Sequence, residues 1–539
     1  MTTGVSPDLT PSAGGPAPFP PGPVVRTGAG PVVGAHEEHD GRRLSVFRGI
    51  PYARPPVGPL RFCAPRPAEP WSEVRDATRF APAFLQSGTP GSTEDALYAN
   101  VWTPGTDGRR PVLVYVHGGG WQVGAGSVPT FDGAKPAARG DLVVVNFNYR
   151  LGPFGWGLHE GLADPETGDV ANWGLLDQVE LLHWVRENAE AFGGDPDSIL
   201  LCGTSAGGAT ARVLAGLPEL KGVVKRLVAI SAAHAWAPAF ALTPEDARTV
   251  YASIAAEFGT TVGGLRDVPA AGLQAAWLRI FGGAPGERIV GSGREYRGPV
   301  PDGRRIPSFA HELPPLDIPA MFVHNSTEGS FFTDPRSPSF PPAPPAPRDD
   351  AALRSAVRDV LLKSVHRVPD EVVDACVRAY REAAAADGLD DDPRTLWTEI
   401  WGDALFRHQI VRLAERHARA GGAPQYVMEF AHPVRAPHYG TPHDATSKFL
   451  FGSHSHPINI GQFGDGPLER RVSDTFVDLV SSFAWGRAPS SPYAPEWPVF
   501  HPDRRSTLVL GGHRLAEIAR TPKLRQLRFW DDVSWLPQP

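Results

Sequence analysis

Apolar residues along this chain fall into two kinds of run. Short unbroken runs occur at Pro111–His117 (PVLVYVH), Asp141–Phe147 (DLVVVNF) and Ser198–Cys202 (SILLC). A strand reads this way when both its faces are covered, because no position is then left for solvent. Between the second and third runs, Gly174–Gly193 sets Leu175, Leu176, Val179, Leu182 and Val185 at helical spacing and stops at Gly193-Gly194. Strand, helix, strand in that order predicts a parallel crossover, and so an open α/β sheet. Further strands are predicted at Leu227–Ile230, Ala320–Val323 and Gln425–Phe430. Helices are predicted around Pro244–Phe258, Asp349–Val365, Asp370–Ala385 and Leu396–Arg419. The stretches from about 234 to 310 and 332 to 420 thus read as largely helical insertions. Two segments near the N-terminus, VVRTGAGPVVGAH from Val24 and RRLSVFRGIPYA from Arg42, read as the first strands of the sheet, in antiparallel pairing.

Composition narrows this picture without changing it. With 41% hydrophobic and 21% charged residues the chain is ordinary globular protein. At roughly 150 residues per domain its length would suggest several domains. The continuous strand–helix pattern instead predicts a single domain over 23–539. Residues 1–22 are rich in Pro, Gly, Ser and Thr and read as a disordered lead, and the proline-rich Ser337–Arg348 as a mobile surface loop. A net charge of −7 gives no electrostatic reason to bind nucleic acid. No segment approaches the 18 or so apolar residues of a membrane span. The N-terminus lacks the basic and apolar regions of a secretory signal, so a cytoplasmic location is expected. Cys63, Cys202 and Cys376 are far apart, form no metal-binding spacing and read as buried free thiols.

Two glycine motifs carry the candidate chemistry. Ser205 sits in Gly203-Thr-Ser-Ala-Gly207, directly after the strand that ends at Cys202. A serine hydroxyl is a weak nucleophile unless it is exposed beside a base, and a sharp strand-to-helix turn exposes it. Glycine flanks such a turn because its backbone leaves no room for a Cβ. His117-Gly-Gly-Gly120 follows the first buried run. Its glycines can turn backbone amides toward one point, which is what a tetrahedral oxyanion needs. Gly119, Gly120 and the amide of Ala206 are the expected donors, with His117 structural.

Together these residues resemble the type-B carboxylesterases, the group that includes cholinesterases. Phe47–Trp71 is similar to that family's N-terminal block, and Glu94–Asn100 (EDALYAN) to its E-D-C-L-Y-L-N signature. Asn148–Gly152 and Asn172–Gly208 resemble its central blocks. The resemblance implies an α/β-hydrolase fold: a large, mostly parallel central sheet with antiparallel N-terminal strands and helices on both faces. It also implies a Ser-Glu-His triad. The acid falls on Glu328, after the strand at Ala320, and Ser231 on a position that supports the triad by hydrogen bonding. The base falls on His443, a few residues before Phe449-Leu-Phe-Gly452, with His438 second; His432, His454 and His456 lie nearby. Trp121, Phe332 and Phe451 are candidate substrate-binding residues, and Phe154, Trp156 and Phe331 are further candidates for the lining. No metal or cofactor is expected, and the expected partner is a small-molecule ester.

The departures from the family are specific. Thr204 stands where the family has Glu, Ala96 where it has the signature cysteine, and Thr446 where it commonly has an acid. The segment between Gln86 and Glu94 is too short for the loop that carries the choline-binding tryptophan. These features point to neutral rather than choline esters. Hydrolysis of amides or carbamates, transesterification, and a non-catalytic binding role stay open as alternatives.

Overall fold

In a computed structural model, the described residues are 21–232, 242–282, 298–310, 312–337, 343–362 and 368–531. They build one sheet of thirteen strands. These are β1 (Pro21–Arg26), β2 (Pro31–His39), β3 (Arg42–Pro51), β4 (Arg75–Asp76), β5 (Tyr98–Thr103), β6 (Arg110–Val116), β7 (Val143–Phe147), β8 (Gly194–Thr204), β9 (Val224–Ile230), β10 (Ala320–Asn325), β11 (Gln425–Phe430), β12 (Ser506–Leu510) and β13 (Ala516–Arg520). Their order across the sheet is β1-β2-β3-β5-β7-β6-β8-β9-β10-β11-β12-β13, with the short β4 paired to β2. From β7 to β12 every neighbour is parallel. β1, β2, β3, β5 and β7 pair antiparallel in that order, the short β4 lies parallel to β2, and β13 returns antiparallel on β12.

The unbroken apolar runs lie where covered strands belong. Val112–Val116 on β6 and all of β7 are buried. One apolar core fills one face of the sheet with Val114, Val145, Leu201 and Phe322, and a second fills the other with Tyr115, Val144, Cys202 and Met321. Alternate residues of the same strands feed the two cores, as a pleat requires. The helix expected from Gly174 runs Trp173–Asn188, and the chain closes on Gly193 in the left-handed region. Among the described residues the stretches 234–310 and 332–420 both carry helices. Pro244–Glu257 and Ala270–Gly282 lie between β9 and β10, and Asp350–Leu362, Asp370–Asp387, Pro393–Gly402 and His408–Ala420 between β10 and β11.

Three features differ from expectation. β1 begins at Pro21, two residues inside the segment read as a disordered lead, because it pairs with β2; residues 1–20 lie outside the described residues. β4, β5, β12 and β13 are strands the sequence pattern did not single out. The helix Pro467–Ala484, which buries Val472, Phe476, Val480 and Phe483 against the second core, is also additional. Part of the loop at Ser337–Arg348 (338–342) lies outside the described residues, as do 233–241 and 283–297 within the first insertion. Cys63, Cys202 and Cys376 are buried free thiols. Among the described residues no helix is long and apolar enough to cross a membrane.

Candidate active site

The strand β8 ends at Thr204, and the next helix, Ala206–Leu214, starts two residues on. Ser205 makes the whole turn, with φ 59° and ψ −125°. A non-glycine residue there is strained by about 1–3 kcal/mol and persists only where its surroundings fix it. Here they do. The Ser205 amide donates to the Ile230 carbonyl on β9 at 2.9 Å, and its carbonyl accepts from Ala209 at 3.0 Å. The flanking glycines are required for packing. A Cβ on Gly207 would stand 2.1 Å from the Val116 carbonyl oxygen, and one on Gly203 2.3 Å from that of Gly207. The turn is therefore wedged against the end of β6.

That strand end carries His117–Gly120. Gly118 lies so close to the serine that a Cβ on it would be 2.9 Å from the Ser205 Cβ. Gly119 and Gly120 both have positive φ, 110° and 60°. Their amides take no backbone acceptor among the described residues. The amide of Ala206, in the first turn of its helix, has no acceptor within the helix either. His117 is structural. Its ring stacks on Tyr149 with centroids 4.4 Å apart and meets the Gly118 carbonyl through Nδ1. Burial drives its pKa down to about 4, so the ring is neutral near pH 7.

Glu328 lies three residues beyond β10, as a carboxylate presented from a strand end must. Its Oε1 accepts from the Asn325 amide at 2.7 Å and from Ser231 Oγ at 2.6 Å. Its Oε2 meets His443 Nδ1 at 2.7 Å. Asn325 Nδ2 donates to Ser231 Oγ and to the His443 carbonyl, both at 3.1 Å, tying Glu328, His443 and Ser231 together. His443 Nε2 is buried and has no hydrogen-bond partner among the described residues. Ser231 follows Ile230, whose carbonyl holds the Ser205 amide, so the serine turn and the Glu328–His443 pair share one strand end.

The rival histidines are engaged elsewhere. His438 Nδ1 lies 2.9 Å from Asp334 Oδ2, His454 Nδ1 meets the Gly464 carbonyl, and His432 stands beside Glu469. Phe332 lies against His443, ring centroids 5.5 Å apart, and Phe331 at 6.1 Å. Phe451 makes its ring contacts elsewhere among the described residues. It is buried in the second core, packed on Tyr115 and Phe131. Trp121 is buried beside the glycine loop, against Trp156. Phe154 and Trp156 are core residues.

Several supporting residues were not anticipated. Glu94 of the EDALYAN stretch makes a paired contact with Arg61, both bonds 2.7 Å, and both residues are buried. In the Asn148–Gly152 stretch, Tyr149 donates to the His117 carbonyl and Arg150 pairs with buried Asp177. Phe406 lies closest to His443 among the described rings, at 4.0 Å. At Thr204 stands a triangle of hydroxyls. Tyr115, Thr204 and Ser447 stand 3.1 Å from one another, behind the serine. Only Arg61's and Arg150's charge, calling for a buried counter-charge, could have signalled any of these.

The long parallel sheet, with its serine on a strand-to-helix turn, makes this an α/β-hydrolase fold. The chain belongs to the carboxylesterase family, whose model matches residues 21–530, and it is a carboxylic ester hydrolase. It is 32% identical to para-nitrobenzyl esterase of Bacillus subtilis, over 94% of this chain and 98% of that protein. It is 31% identical to a liver carboxylesterase of Sus scrofa, over 95% of this chain and 93% of that one. A solved PNB esterase matches with a TM-score of 0.73 at 31% identity, covering 94% of this chain and 99% of its own.

Proposed function

We propose that the protein hydrolyses neutral carboxylic esters in two acyl-transfer steps, with Ser205 as nucleophile, His443 as base and Glu328 as the acid that orients it. The observation that carries this reading is the 2.7 Å contact of Glu328 with His443 Nδ1, formed beside a serine turn that shares the same strand ends. A carboxylate on Nδ1 fixes the tautomer with Nε2 free to accept the serine proton, and it stabilises the imidazolium that results. The Ser205–His443 hydrogen bond, absent among the described residues, is then one that forms as substrate binds.

In the first step Ser205 Oγ attacks the ester carbonyl while Nε2 takes its proton. The oxyanion is held by the amides of Gly119, Gly120 and Ala206. The imidazolium passes its proton to the departing alcohol. Water, deprotonated by the same nitrogen, then releases the acid and restores the serine. The uncharged hydroxyls around Thr204 offer no carboxylate to attract a cationic alcohol group, which favours neutral esters. The buried free thiols fit action in a reducing compartment.

Ser205→Ala tests the assignment. It should remove at least about 10³-fold of kcat with the fold unchanged by circular dichroism, since only binding and the oxyanion donors then remain. Turnover within tenfold of the parent enzyme would refute it. Matched ester and anilide substrates, assayed side by side, decide between ester and amide preference.

A further inference from the structure

The helical segments Pro393–Gly402 and His408–Ala420 run on from one another, but not uniformly. Residues Asp403–Arg407 form a π turn between them. Such turns are intrinsically less favourable than α-helix and occur disproportionately at functional sites. This one is wholly buried and firmly held. Asp403 accepts from Arg407 through Nε at 2.6 Å and Nη2 at 2.8 Å, from Tyr380 Oη at 2.7 Å and from Gln526 Nε2 at 2.7 Å. Trp530 Nε1 in turn donates to Tyr380 Oη at 2.7 Å. Residues from another helix and from the C-terminal segment thus fix a turn that ordinary helical bonding would not.

The turn faces both members of the acid–base pair. On one side, Gly402 packs on the acid loop so closely that a Cβ there would be 2.6 Å from the Gly329 amide nitrogen and 3.1 Å from the Glu328 Cβ. On the other, Phe406 lies over His443, ring centroids 4.0 Å apart and planes at 31°. Phe332 stacks on Phe406 at 5.6 Å and 13° and extends the same aromatic wall. The imidazole needs this wall. Its side-chain hydrogen bond to Glu328 leaves it free to tilt about that contact.

We infer that the π turn Asp403–Arg407 is a positioning device for the acid–base pair, and that Phe406 sets the plane of the His443 ring so that Nε2 faces Ser205. Phe406 is a positioning residue, acting only through His443. The inference rests on the triad assignment above. Its ring fixes geometry rather than substrate affinity, so its loss falls on kcat.

The test compares Phe406→Leu with Phe406→Tyr, which keeps the ring. Phe406→Leu should lower kcat about 10- to 100-fold, the scale of a misplaced catalytic group, and leave KM within about twofold. The downfield proton resonance of the Glu328–His443 bond should broaden or shift. Phe406→Tyr should keep kcat within about threefold and retain that resonance. If Phe406→Leu does not fold, Phe406→Met, which conserves volume without a planar face, takes its place. Parent-like kcat in the ring-less variant overturns the inference, as does equal loss in the leucine and tyrosine variants or a loss confined to KM. Ser205→Ala run in parallel separates the two levels: if it too stays active, the triad assignment itself has failed.

Discussion

The chemistry of this site is set residue by residue through donors and acceptors rather than by unusual charge. Glu328 is buried and receives three hydrogen bonds, from Asn325, Ser231 and the histidine. A buried carboxylate is tolerable only when its lone pairs are used in this way. Ser231→Ala would remove one charge-assisted bond, worth about 1.5–3 kcal/mol. Glu328 would then hold the imidazole less firmly, and kcat should fall about tenfold with KM unchanged. Steady-state kinetics check this, and an unaltered kcat would show that Asn325 alone suffices. At this scale the sequence was informative where spacing carried chemistry. The turn at Ser205 and the glycines before Trp121 were legible from local motifs, and the pairing of Glu328 with His443 from resemblance. The burial of Phe451 in the second core was not legible, because a phenylalanine close in sequence to His443 looks the same whichever face of the sheet it packs on. Phe406 was invisible, because its nearness to His443 depends on a π turn stabilised by Tyr380 and Gln526, far away in sequence.

Among the elements, the decisive contact is that between the serine turn and the end of β6. Gly207 permits it by having no Cβ to strike the carbonyls of Val116 and His117, which such an atom would meet at 2.1 and 2.6 Å. Gly207→Ala should therefore push the glycine loop away from Ser205. A backbone clash of this kind costs about 1–3 kcal/mol or more, visible as a lower urea midpoint, and kcat should fall with it. Unchanged stability and kcat would show that the two elements have slack. The central strands and their helices were legible because their patterns are long. β12 and β13 have five residues each, and β13 is exposed enough to lack any apolar signal. The helix Pro467–Ala484 does carry helical spacing and was not among the expected elements, since its neighbours lack strand signals that would frame it. β5 begins inside the EDALYAN stretch, where a motif drew attention from a short strand.

For the molecule as a whole, burial of histidines governs stability in mild acid. Burial holds His117 down to about 4 and His324, His408 and His417 to about 3. Each is neutral in the fold, while in the unfolded chain it titrates near 6.5. Between about pH 6.5 and 4 the unfolded state binds more protons, so stability rises with pH across that window. Glu180, raised by burial to about 7, acts in the opposite sense, as does Glu429, but the four histidines outnumber them. The melting temperature should accordingly fall steadily as pH is lowered from 6.5 to 4. A melting temperature that is flat or that rises on acidification would contradict this expectation.

An acyl-enzyme on Ser205 can be trapped and weighed. The protein is mixed with a slowly deacylating ester, quenched in acid within milliseconds, and its intact mass and proteolytic peptides are measured. One acyl group per chain, carried on the peptide containing Gly203–Gly207 and absent from Ser205→Ala, is the predicted result. An acyl group on another residue, or rapid turnover with no covalent adduct at any quench time, would contradict it.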